Sequence, residues 1–237
     1  MVYEMIPLYD ENPTRIFPLV TVLLIAANVV VFIYELILPS PQALEAFVGA
    51  AAIIPYDVTH NLGLGVSLTL FTSLFVHGGW LHIIGNMLYL WIFGNNVEDA
   101  MGHLRFALFY LLCGLGASAA QIAVSINSRV PNIGASGAIA GVLGAYLILF
   151  PRARVVSLVT LGYFVRLVRV PAVLVLGLWI VVQLFSGLAS LGMAGVGGVA
   201  WFAHLGGFLA GLLLVRLFAR GRVWYRRESF PTGFWKG

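Results

Sequence analysis

The chain has 237 residues, 61% of them hydrophobic and only 9% charged, with a formal net charge of +4. That is too little charge to coat a soluble globule of this size, and apolar runs long enough to cross a bilayer recur, so a polytopic membrane protein is expected. The single cysteine, Cys113, excludes an intrachain disulfide and lies in an apolar run as a small core residue. The excess positive charge does not point to nucleic acid, because its distribution follows the pattern of a membrane orientation signal.

In chain order, residues 1–15 carry Glu4, Asp10 and Glu11 against the lone Arg15. This is a poor start for a cleaved signal peptide, so residues 16–38 read as a retained first span. Residues 80–93, 104–124, 136–150, 171–191 and 202–218 give five more apolar runs. Some are short, which is acceptable for helices buried inside a bundle. Residues 155–164 are too few to cross and are bracketed by arginines, so a partial or interfacial segment is expected there. The expected fold is an all-α membrane protein of six transmembrane helices, with a membrane domain at 16–219 and a basic tail at 220–237. With six spans, twelve of the 13 basic residues fall on the side of the termini and only Arg129 on the other. That bias places both termini in the cytoplasm.

Three of these helices begin with polar residues. "HGGWLHIIGNMLYLWIFG" holds His77, His82 and Asn86; "GASGAIAG" holds Ser136; "AHLGGFLAG" holds His204. Taken singly, the serine is an ordinary packing residue and each histidine an ordinary helix-end side chain. Taken together they are not, because the second, fourth and sixth spans all enter from the outer face. At about 1.5 Å rise per residue the three motifs share one depth. Gly137 and Gly141, and likewise Gly207 and Gly211, are spaced four apart, so the fourth and sixth helices can approach closely at Ser136 and His204.

Serine needs a neighbouring base to act as a nucleophile, and imidazole is the usual one. Among the nine acids only Glu35 falls inside a span, near the outer end of the first helix and away from the three motifs. The pattern therefore reads as a Ser136–His204 dyad, its imidazole held by packing and not by a carboxylate. His82 and Asn86, at i and i+4, present donors on one helix face, and the Ser136 N–H adds a third at a helix N-terminus. His77, roughly 140° round from His82 if helix extends that far, is a supporting residue. The G-x-S-x-G elbow of α/β-hydrolases does not fit, since Gly137 follows the serine directly and no sheet pattern is present. A metal site is not expected, because no acid or cysteine accompanies the histidines.

In these motifs the sequence resembles the rhomboid intramembrane serine proteases: "HGGWLHIIGN", G-x-S-G as "GASG", and A-H-x-x-G-x-x-x-G as "AHLGGFLAG", with "MIPLYDENPT" similar to the start of many prokaryotic members. The resemblance implies Ser136 as nucleophile, His204 as base and His82 with Asn86 at the oxyanion. It gives supporting places to His77, Gly134 and Gly137, and a structural one to Glu98. It implies no cofactor, a water-filled cavity open to the outside and single-span membrane proteins as substrates, cut near the outer face of a prokaryotic plasma or inner membrane. The Trp-Arg pair of the first outer loop in some members is absent here, so that loop must be anchored differently. Two rivals are a catalytically silent rhomboid-like protein that binds membrane clients, and a transporter with a polar intramembrane pathway. The inner halves of the fourth and sixth spans, apolar apart from Tyr146 until Arg216, weigh against the transporter.

Overall fold

A computed structural model describes residues 3–61, 63–161, 164–191 and 199–220. In chain order the elements are β1 (Tyr3–Asp10), α1 (Leu19–Ile37), α2 (Pro41–Ala51), α3 (Pro55–His60), α4 (Leu64–Thr72), α5 (Trp80–Met101), α6 (His103–Val124), α7 (Ser136–Leu149), β2 (Arg154–Leu161), β3 (Phe164–Pro171), α8 (Ala172–Ser190) and α9 (Trp201–Phe218). Each of the six apolar runs is a helix. Among the described residues four of them, α1, α6, α8 and α9, are long and apolar enough to cross a membrane. Residues Leu64–Phe75 and Trp80–Met101 form a further pair, bent by 81° at the break. Helix α7 has only 14 residues.

The short α7 sits at the centre of the bundle. Every residue from Gly137 to Tyr146 is buried, as expected of a helix apolar on all sides. Around it, side chains such as Val30, Ile37, Leu104, Phe185, Leu213 and Leu217 point outward and stay exposed. On a soluble protein such a surface would drive association, whereas against hydrocarbon it costs nothing. The close α7–α9 approach rests on glycine: a Cβ on Gly207 would strike the Gly137 carbonyl, and one on Gly211 the Gly141 carbonyl. A Cβ on Gly141 would meet Cys113, which is itself buried in the core of α6.

The fold is not all-α. Strands β1, β2 and β3 form an antiparallel sheet in that order, with a bulge in β1 between Pro7 and Tyr9. Of residues 155–164, expected as an interfacial segment, 155–161 supply most of β2 and Phe164 begins β3. Val155 is buried and joins the core, with Met5 and Val170 packed beside it. The sheet closes the end of the bundle opposite Ser136. Tyr146, near the far end of α7, donates its hydroxyl hydrogen to Asp10 Oδ2 at 2.6 Å, and Asn96 Nδ2 donates to the same oxygen at 2.9 Å. The N-terminal segment is thus tied down as a strand. From residue 221 the expected basic tail lies outside the described residues.

Glu98, fully buried near the end of α5, accepts hydrogen bonds from the Val20 and Thr21 backbone N–H groups at 2.8 Å each and from Thr21 Oγ1 at 2.7 Å. A carboxylate so placed satisfies the orphan donors at the start of α1 and complements its dipole. His103 Nδ1 donates to the same carboxylate at 2.6 Å. At the other end, helices α2–α4 make up the loop that lacks a Trp-Arg pair. Ile53 and Asn132 exchange backbone hydrogen bonds at 3.1 and 2.8 Å, and the Arg129 guanidinium lies 4.0 Å over the Tyr56 ring. These contacts fasten the loop to the segment that leads into Ser136.

Candidate active site

Ser136 is the first residue of α7, His204 the fourth of α9, and His82 the third of α5. All three helices start at one end of the bundle, so short segments of each converge there. His204 Nε2 lies 2.8 Å from Ser136 Oγ. The glycine contacts between α7 and α9 set that distance, because any larger residue would push the two backbones apart.

Two residues before Ser136, the chain passes through Gly134 with φ +112°, a conformation that side chains resist. A Cβ there would sit 2.7 Å from His82 Nε2 and 3.6 Å from Asn86 Nδ2, so both side chains lie against bare backbone two residues before the serine. Their hydrogen bonds fix which groups can donate. His82 Nδ1 accepts from the Gly78 N–H at 3.3 Å, which leaves the proton on Nε2, facing Gly134. His77 Nδ1 donates to the Phe75 carbonyl at 3.2 Å, so its Nε2 accepts one Asn86 amide hydrogen at 3.0 Å. The second Asn86 hydrogen remains available. N–H donors of His82 and Asn86 therefore lie against the backbone just before a serine whose hydroxyl contacts an imidazole.

His77 is not part of α5, which begins only at Trp80, so the 140° helical offset from His82 does not apply. Instead the His77 ring packs edge-on against His82, centroids 5.0 Å apart, while it holds Asn86. Glu35 corrects the sequence reading further. Its Oε1 accepts the His77 backbone N–H at 3.2 Å, so this acid touches the second-helix motif.

His204 is held by more than packing. Its Nδ1 lies 2.6 Å from Gln183 Oε1 on α8, and its ring sits between Trp179 and Trp201, with centroids 5.8 and 6.2 Å away. Gln183, Trp179, Trp201 and the Glu35 contact all escaped the sequence reading. The one available signal was the lone amide of α8, a helix whose other polar side chains are Ser186 and Ser190. A cavity of about 40 Å³ adjoins Ser136, with Ser73, Ser118, Gln121 and Asn132 among its lining residues. That is room for about one water with several polar partners.

The structure thus brings a serine and a histidine into contact among the helices of a membrane protein, with the His82 and Asn86 side chains against the backbone just before the serine. Comparison with known proteins gives the family. The Rhomboid domain family model matches residues 65–221, more than half of the chain. The chain belongs to the rhomboid family. It is 29% identical to RHOMBOID-like protein 1 of Arabidopsis thaliana over 92% of this chain and 58% of that protein. RHOMBOID-like protein 4 of the same plant is 33% identical over 66% of this chain and 36% of its own length. The Rhomboid protease GluP of Bacillus subtilis (strain 168) is 42% identical over 39% of this chain and 18% of that protein. The chain thus spans less than two thirds of these relatives, which include plant and bacterial proteins.

Proposed function

We propose that this chain is an intramembrane serine endopeptidase that cuts transmembrane segments of other membrane proteins. The observation that carries the reading is the 2.8 Å contact between His204 Nε2 and Ser136 Oγ. As the serine oxygen attacks a peptide carbonyl, His204 Nε2 takes the hydroxyl proton. It then gives that proton to the departing amine, leaving an acyl group on Ser136. Water, deprotonated by the same nitrogen, attacks the acyl carbon and frees the serine. The neighbouring cavity is a place from which that water can come.

In both halves of the reaction negative charge grows on the carbonyl oxygen. His82 Nε2–H, the free Asn86 amide hydrogen and the Ser136 backbone N–H serve as its donors. His77 and Glu35 support the group by fixing Asn86 and the backbone before α5. Gly134 leaves room for His82, and Gly137, Gly141, Gly207 and Gly211 bring α7 and α9 together. No cofactor enters any step.

The substrate must unwind locally, because helical carbonyls are already hydrogen-bonded and shielded. Each unpaired backbone group costs several kcal/mol in hydrocarbon, so glycine or proline near the cut lowers the barrier. In our reading both termini and the sheet lie in the cytoplasm, and the site opens towards the outer face of a cell membrane. The test is cleavage of a Gly/Pro-bearing transmembrane substrate in liposomes. Wild type should cut it, and Ser136→Ala should lose all activity with an unchanged melting temperature. Cleavage retained by that variant would remove Ser136 from the mechanism. A folded but inactive wild type would instead favour a client-binding role.

A further inference from the structure

We infer that Gln183 is the positioning residue of the base, the neutral counterpart of the acid that usually completes a serine–histidine arrangement. The inference rests on the protease reading of Ser136 and His204 and adds a third member from a different helix. Its starting point is an asymmetry of the imidazole. To accept the Ser136 proton, His204 must present a lone pair at Nε2 and therefore carry its hydrogen at Nδ1. Gln183 Oε1, 2.6 Å from Nδ1, can only accept, so it rewards that tautomer. In the opposite tautomer two lone pairs would face each other at that distance, and Nε2–H would donate to the serine and leave it inert.

Together with the Ser136 contact at Nε2, the same contact fixes the ring at both of its nitrogens. When the proton arrives and the ring becomes an imidazolium, the amide oxygen dipole points its negative end at the new charge. An amide does this at a buried position where a carboxylate would bring a full charge into low dielectric, at heavy desolvation cost. Trp179 and Trp201 contribute ring faces and edges around the imidazole but no acceptor for Nδ1–H. Gln183 is therefore the group that decides where the His204 proton sits. It comes from α8, the helix that also brings Trp179 against the His204 ring.

The test uses the full chain in liposomes with the same transmembrane substrate. Gln183→Met keeps the length and apolar contacts of the side chain but removes the acceptor. We expect kcat to fall about 10- to 100-fold with KM and melting temperature unchanged, less than the roughly 100- to 10,000-fold of general acid–base catalysis because His204 itself remains. Gln183→Glu restores an acceptor at the same place and should recover most of the lost kcat, with its desolvation cost appearing as a lowered melting temperature. Should the methionine variant fail to fold, Gln183→Asn carries the test, because its amide stops one methylene short and should show the same loss. A folded Gln183→Met or Gln183→Asn with wild-type kcat would overturn the inference, as would Gln183→Glu remaining as slow as Gln183→Met. Wild-type and Ser136→Ala controls separate this failure from failure of the protease reading, which would leave the wild type itself inactive.

Discussion

At the scale of single residues, the proposed site assigns chemistry to some positions and aiming to others. Asn86 spends one amide hydrogen on His77 and keeps the other beside Gly134. Asn86→Ala should therefore reduce kcat by about 100-fold or more, the cost of removing one oxyanion donor, while KM changes little. Steady-state kinetics on the transmembrane test substrate checks this, and an equal loss in binding would argue for a structural role. Ser136, His204, His82 and Asn86 could be picked out because each is polar where the chain is otherwise apolar, and each lies near a helix start. Gln183 and Glu35 could not be placed in that way. Their partners lie 21 and 42 positions away, and a span count fixes depth but not the rotation of each helix about its axis.

At the scale of elements, α7 and α9 form the hinge of the account. The glycine spacing in both was readable, since four-residue repeats of small residues mark close helix contacts. Gly207→Leu forces the backbones apart at the Gly137 carbonyl and should separate His204 from Ser136. The expected outcome is loss of cleavage with a lowered melting temperature, measured on the purified variant. Activity at the wild-type level would show that the helices have slack. The sheet escaped notice for a different reason. Its strands pair residues as distant as Tyr3 and Leu161, and a ten-residue apolar run between arginines satisfies a strand as well as an interfacial segment. The backbone pairing of β2 with both β1 and β3 settles the matter, with Val155, Val156 and Ser157 all buried.

At the scale of the whole molecule, the sheet end and the Ser136 end are joined through α7. Asp10 sits at the sheet end, where burial pushes its carboxyl up from 3.8 to about 6, against smaller opposing effects of the Tyr146 hydroxyl and backbone N–H groups. The folded protein thus holds this proton more tightly than the unfolded chain. The stabilisation is complete below about pH 3.8 and is lost as pH rises through about 6. Between pH 4 and 7 the wild-type melting temperature should fall more steeply than that of Asp10→Asn; parallel curves would contradict the assignment. The central claim, however, is that Ser136 is activated by His204. Its most direct measurement is covalent labelling of the purified protein by a fluorophosphonate, with the modified residue located by mass spectrometry. A single adduct is expected on Ser136, absent from both Ser136→Ala and His204→Ala. A folded wild type that stays unlabelled, or labelling undiminished in His204→Ala, would contradict it.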